Sequence, residues 1–236
     1  MVDENIVRTG IDGLDELLKG GLIRNRSILV EGDPGTGKST LGMQFLINGA
    51  LQYDEPGVLL LLEYDLADLI SDFRVYDWDI LDLIDSKKLA VVSPPGGLEN
   101  PDQLSLDDIL NLVHRATLRI NARRIVIDSL NSIELAMLSN RNLRKELIRF
   151  ISLLRDLDCT VLLLSESQNS STDQVYNYLT HGVISLYNIK AGAQRLRAIE
   201  IQKMRGIDHS TLTHSMNIQS GKGIIVLPHE IDLSEL

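Results

Sequence analysis

Gly32-Asp33-Pro34-Gly35-Thr36-Gly37-Lys38-Ser39 follows the strand-like run Ser27-Ile28-Leu29-Val30-Glu31 and opens an apolar-periodic segment. The pattern is GxxxxGKS, with a strand before it and a helix after it, and that context gives the motif its physical meaning. Glycines let the backbone curl so that successive N–H groups point inward at phosphate oxygens. The helix that follows adds its unpaired N-terminal donors and the positive end of its dipole. Lys38 is expected to reach the β and γ phosphates and Ser39 to ligate Mg²⁺. The expected contact set runs through Gly32, Asp33, Pro34, Gly35, Thr36, Gly37, Lys38, Ser39 and Thr40. A Gly-rich turn that merely caps a helix does not require every one of these features together. The loop reads as a site for ATP or GTP.

The 236 residues suit one large α/β domain, and 44% hydrophobic content supports a sizeable core. No stretch approaches the length of a membrane span, and Met1-Val2-Asp3-Glu4 lacks the basic region of a signal peptide. The single Cys159 offers neither a disulfide nor a metal cluster, so it reads as a small buried residue in a cytoplasmic protein. A formal charge of −10 argues against a strong non-specific nucleic-acid surface. The main basic concentration, Arg141, Arg144, Lys145, Arg149 and Arg155, shares its segment with Glu146 and Asp156 and reads as a solvated helix face.

Val58 to Leu62 is a continuous apolar run after Glu55-Pro56-Gly57, as a strand buried on both faces requires. Similar runs recur at Leu89–Val92, Arg124–Ile127 and Thr160–Leu164. Helix patterns lie between them, at Thr40–Gln52, Leu66 to about Val75, Leu104–Arg119 and Leu143–Leu157. The alternation predicts an α/β fold with a mostly parallel central sheet, helices on both faces, and ligand beyond the carboxyl ends of the strands. After Val183 the character changes. Val183–Lys190 and Arg195–Met204 read as a hairpin around Ala191-Gly192-Ala193-Gln194, and Gly223–Leu227 as a last strand ending at Pro228. Antiparallel strands are thus expected at the C-terminal side of the sheet. Ser165–Thr180 reads as a loop, and no linker marks a second domain within 1–236.

Asp128 ends the strand Arg124–Ile127, where a carboxylate is expected on the Mg²⁺ side of Ser39. Glu63 holds the corresponding place after Val58–Leu62 and could orient and deprotonate a water attacking the γ-phosphate. Asp65 suits the cap of the next helix better than Glu63 does, which leaves Glu63 free for chemistry. Glu166 is a weaker third candidate, able to sense the γ-phosphate or simply to close its strand. Lys203 and Arg205 flank Met204 before Gly206 and point the same way. Such a pair is either a solvated strand edge or a source of positive charge for a neighbouring subunit's transition state.

With these features in view, the chain resembles a single domain of the KaiC/RadA branch of the RecA-like P-loop ATPases. Thr9-Gly10-Ile11-Asp12-Gly13-Leu14-Asp15-Glu16-Leu17-Leu18-Lys19-Gly20-Gly21-Leu22 is similar to the family's TGIxGLDxLLxGGxP opening, with Ile23 where proline is usual. Tyr76-Asp77-Trp78-Asp79 resembles its (F/Y)GWD segment, Arg124–Ser129 its RVVIDS strand, and Lys203-Met204-Arg205-Gly206 with His209 its KxRGxxH element. The resemblance covers nearly the whole chain. It implies ATP at Lys38 and Ser39, Asp128 on the Mg²⁺ side, and Glu63 as the water-activating glutamate. It also implies that Lys203 and Arg205 reach the neighbouring subunit's nucleotide in a self-associated ring, by family default of six. Arg197 and Ile218 match positions that contact the base or ribose across that interface.

Three departures qualify what the resemblance implies. The family's second glutamate is here Tyr64, so a slow, weak ATPase is expected. An aspartate near the base is Ser220, and the sequence ends at Leu236 without the phosphorylated segment of the circadian-clock member, so autokinase activity is not implied. The leading expectation is an ATP-dependent switch in a homo-oligomer, its protein partner unspecified. One alternative is a recombination accessory protein of the RadA type that binds DNA or a recombinase, weakened because Ser167–Thr180 carries no Lys or Arg. Another is a non-catalytic protein that ATP merely assembles.

Overall fold

Apolar runs too long for a one-sided sheet have formed strands covered on both faces. The computed structural model describes residues 4–94, 105–136, 143–166 and 176–231. Its elements are β1 (Ile6–Val7), α1 (Leu14–Leu17), β2 (Leu22–Ile23), β3 (Ser27–Gly32), α2 (Lys38–Gln52), β4 (Gly57–Leu61), α3 (Leu66–Phe73), α4 (Ile80–Asp85), β5 (Leu89–Val92), α5 (Leu106–Ile120), β6 (Arg124–Asp128), α6 (Leu130–Ala136), α7 (Leu143–Leu154), β7 (Thr160–Ser165), β8 (Gly182–Ala191), β9 (Gln194–Met204), β10 (Thr213–Gln219) and β11 (Gly223–Glu230). Nine strands make one sheet in the order β11-β10-β9-β8-β3-β7-β6-β4-β5. From β8 to β5 the strands are parallel, and β9, β10 and β11 run antiparallel beyond β8. The expected mixed sheet is the one observed.

Strand period explains the two cores. On β3, Ile28 and Val30 face one layer with α2, α3 and α4, whereas Leu29 faces the other with α5, α6 and α7. Asp65 caps α3 as expected, its carboxylate accepting from Asp68 N at 2.9 Å. Ser105 and Asp108 form a reciprocal capping box that starts α5 at Leu106; Leu104, where the sequence pattern began, lies outside the described residues. Cys159 is buried and donates to Ala122 O at 3.2 Å, and burial pushes its thiol up to about 12. No helix among the described residues is long and apolar enough to cross a membrane.

The structure corrects several boundaries. The last strand runs through Pro228 to Glu230, because β11 is the outermost strand and proline's missing donor costs nothing on an unpaired edge. β10, the two-residue pair β1–β2 and the short helices α4 and α6 carry too little periodicity to be read in advance. Much of the polar stretch after Ser165 lies outside the described residues, but 176–179 is a helical turn rather than loop.

Arg124 opens β6 wholly buried. Its guanidinium bonds Glu55 through Nε (2.8 Å) and Nη2 (2.7 Å), and donates to Phe45 O and Arg8 O, each at 2.8 Å. It lies 4.4 Å from the Phe45 ring centroid, against a helix face where a Cβ on Gly49 would approach Nε to 2.4 Å. Glu55 also pairs with Arg24 at 2.9 Å. The network ties the N-terminal segment, α2 and β6 together at the base of the sheet.

Candidate active site

Four parallel strands deliver their C-terminal ends to one rim. β3 carries the Gly32–Ser39 loop, β7 ends at Ser165 before Glu166, β6 ends at Asp128, and β4 leads through Leu62 to Glu63. β7 lies between β3 and β6, so the loop strand and the Asp128 strand are about 10 Å apart across the sheet. That gap is bridged by side chains of α2. It is the crevice in which ligands of parallel α/β sheets bind.

The loop is shaped for phosphate. Gly37 caps α2 at φ 106°, a left-handed conformation that L side chains rarely adopt, and a Cβ there would lie 2.8 Å from Ile218 Cδ1. Thr36 Oγ1 closes the turn on Asp33 O at 2.8 Å. The amides at the start of α2 precede any intrahelical partner, and the chain's first helical bond there runs from Leu41 N to Gly37 O. Lys38 Nζ donates to Gly32 O (2.7 Å) and Asp33 O (3.2 Å), across the space the loop encloses. Burial lowers the Lys38 ammonium's pKa, against opposing contributions from Glu166, Asp128, Glu63 and Asp33.

Asp128 is almost fully buried. Burial raises its carboxyl to about 6, with the Ser39 hydroxyl bond opposing, Glu63 adding and Lys38 opposing. The Ser39 hydroxyl is also within hydrogen-bonding reach of Tyr64, whose phenol burial holds protonated. Tyr64 thus stays a neutral phenol beside Ser39. The donor types fit Mg²⁺: a helix N-terminal hydroxyl and one carboxylate are the hard oxygen ligands that such an ion takes. Among the described residues no cluster of three or more His, Cys, Asp or Glu is placed to hold a metal ion.

Glu63 is held rather than loose. Its Oε1 accepts from Ser129 Oγ at 2.5 Å and Ser132 Oγ at 3.0 Å, while Oε2 makes no hydrogen bond among the described residues. Ser129 follows Asp128 and Ser132 lies in the first turn of α6, so β6 sets both carboxylates at once. In the same turn Asn131 Oδ1 accepts from Glu166 N (2.6 Å) and Ser165 Oγ (3.2 Å), pinning the tip of β7. Sequence reasoning passed over Ser129, Asn131 and Ser132; their spacing behind a strand-ending aspartate was the available signal.

Arg197 Nε donates to Gly35 O at 3.4 Å, and Ile218 packs beside Gly37. Both thus meet the phosphate loop of their own chain. Lys203 and Arg205 do not. Lys203 pairs with Val183, and Arg205 N donates to His181 O, whose own N donates to Ser27 O at the opposite end of β3. Five residues of extended strand, about 16 Å, separate that end from Gly32. Within one chain these two cations stand away from the site.

A family model described as "ATPase: KaiC" matches residues 7–231. The circadian clock oscillator protein KaiC of Synechococcus elongatus is 33% identical over 94% of this chain, and that of Parathermosynechococcus lividus 32% identical over 94%. The chain spans 44% and 42% of those two proteins, less than half of each. A crystal structure of a KaiC-like protein from Pyrococcus horikoshii OT3 superposes with a TM-score of 0.85 at 32% identity, covering 94% of this chain and 99% of that one. Match, fold and rim geometry agree, and the chain belongs to the KaiC family of RecA-like ATPase domains.

Proposed function

We propose that residues 1–236 act as one ATPase domain that binds Mg·ATP, hydrolyses it slowly and uses it as a switch in a homo-oligomer of the cytoplasm. One observation carries the reading: Lys38, Ser39, Asp128 and a serine-clamped Glu63 meet at a single rim of the sheet. The loop amides and Lys38 bind the phosphates, with Lys38 exchanging carbonyl oxygens for phosphate oxygens. Arg197 and Ile218 border their own chain's loop, so their contact with ribose or base is assigned within one chain and not across the interface. Mg²⁺, held at Ser39 and on the Asp128 side, would neutralise charge on the β and γ phosphates. Glu63 Oε2 takes the proton of the attacking water as its oxygen bonds the γ phosphorus and the bond to the ADP oxygen breaks. Tyr64 offers no second carboxylate, so turnover is slow.

Lys203 and Arg205 supply positive charge to the site of a second copy, in a ring whose default number is six. Their distance from their own loop supports a role in trans. The test combines three variants. E63Q should retain Mg·ATP binding but release phosphate at least ~10²-fold more slowly, with or without single-stranded DNA. K38A and R205A should each be inactive alone, whereas mixed oligomers should recover activity, because an intact loop from R205A can meet an intact Arg205 from K38A. Co-assembly without recovery at any ratio overturns the trans role. DNA-stimulated turnover would favour the recombination accessory reading instead.

A further inference from the structure

At the base of the sheet, the carbonyls of residues 177–180 are held by three cations from two separate parts of the chain. Lys203 Nζ donates to Thr180 O at 2.8 Å and also to Asn177 O. Arg205 Nη2 donates to Tyr178 O at 3.3 Å. Leu179 O is taken by Arg155 Nη2 at 2.7 Å. Arg155 lies in the 3-10 turn that follows α7. Arg149, earlier on α7, pairs with Asp107 (3.1 Å) and Glu146 (3.6 Å). Arg155, equally exposed, bonds a backbone carbonyl instead of a carboxylate.

No ion pair among the described residues compensates Arg155, Lys203, Arg205 or nearby Arg26. Concentrated positive charge of this kind in a chain of net charge −10 is out of balance locally. His181 sits among all four; burial first, then Arg26, Arg155, Arg205 and Lys203, lower it to about 4. It stays neutral at physiological pH and adds no repulsion. His181 Nδ1 and Asn177 Oδ1 are buried there without hydrogen-bond partners. Helix-end carbonyls carry about half a negative charge, a weak counterion for three cations. A polyphosphate carries several charges and takes guanidinium groups in bidentate geometry.

We propose that Arg155 joins Lys203 and Arg205 in a three-cation receptor for the terminal phosphates held in the loop of a second copy of this chain. Docking exchanges the carbonyls of 177–180 for phosphate oxygens. The inference rests on the trans reading above and extends it to a residue outside the Lys-Met-Arg strand end.

The test is ATP-dependent assembly of R155A, R155K and R205A, followed by solution mass against protein concentration with Mg·ATP, Mg·ADP or no nucleotide. R155A should need at least about tenfold more protein for half-assembly in Mg·ATP, the loss of one charge-assisted contact. R155K should recover part of that, and dilute R155A should bind Mg·ATP and unfold thermally as the parent does. Parental assembly of R155A beside failed assembly of R205A overturns the inference and leaves the trans reading standing. Parental assembly of both overturns the trans reading itself. Equal weakening in ATP, ADP and no nucleotide, or a lowered unfolding temperature, makes Arg155 a protein–protein or cap contact and overturns the receptor.

Discussion

Arg124 and Asp128 are buried charges at the two ends of one five-residue strand, and the fold treats them in opposite ways. At the base, Arg124 is enclosed by a carboxylate, two carbonyls and an aromatic face. At the rim, Asp128 has the Ser39 hydroxyl while burial lifts its carboxyl to about 6. A buried charge with every bond satisfied fixes structure; one left short of partners is held at a shifted pKa. The strand thus runs from a finished electrostatic site to an unfinished one.

The largest effect should come from breaking the finished end. Arg124→Ala strands Glu55 beside Arg24 and opens space between α2 and β6, so the protein should lose about 3–5 kcal/mol of stability. Denaturant unfolding reads this directly. A loss under about 1 kcal/mol would mean the network is no more than an exposed pair in effect. Arg124→Met, which keeps volume without charge, should cost much less if Glu55 is also made Gln.

The unfinished end should respond with the opposite sign. The Asp128 carboxyl holds its proton more tightly folded, near 6, than at its ordinary 3.8. Its contribution to stability is full below about pH 4 and drains away as pH rises through 6, after which the ionised group is a standing cost. Asp128→Asn should therefore stabilise the nucleotide-free protein above pH 6 by about 3 kcal/mol and leave it unchanged near pH 4. The same variant should lose the advantage that Mg²⁺ gives to ATP binding, measured by calorimetry with and without the metal. Destabilisation at pH 7.5 would show that Asp128 is as well satisfied as Arg124, and the contrast would fail.

Most of the rim was legible in the sequence because it is built from local signals. A Gly-rich run between a strand and a helix, and acids closing apolar runs, each announce themselves within a few residues, and Asp65 announced its cap. The base was not legible. Arg124 reads as the polar start of an apolar strand, and its partners Glu55, Phe45 and Arg8 lie 69, 79 and 116 residues away. Arg155 is exposed, as helical periodicity implies, but its bond to Leu179 O, 24 residues on, leaves no trace in that pattern. Pro228 misled in another way, since its meaning depends on whether the strand is central or outermost, which no local pattern encodes.

The smallest expected effect probes how finely the unfinished end is aligned. Ser129 and Ser132 both hold Glu63 Oε1, and they lie 3.2 Å from each other. Removing the Ser132 hydroxyl leaves the shorter bond in place, so Glu63 keeps its anchor but gains freedom to rotate. A hydrogen bond to a charged acceptor is worth about 1.5–3 kcal/mol, and Ser129 should retain more than half of the pair's effect. Ser132→Ala is thus expected to lower turnover by roughly 3–10-fold. Because neither serine hydrogen-bonds the phosphate loop among the described residues, Mg·ATP affinity and the unfolding temperature should stay at parental values. A fall in kcat at constant KM identifies Ser132 as a positioning residue for Glu63. A rise in KM at unchanged kcat would instead mean that α6 shapes the nucleotide pocket. Unchanged kinetics would leave Ser129 as the only clamp that matters.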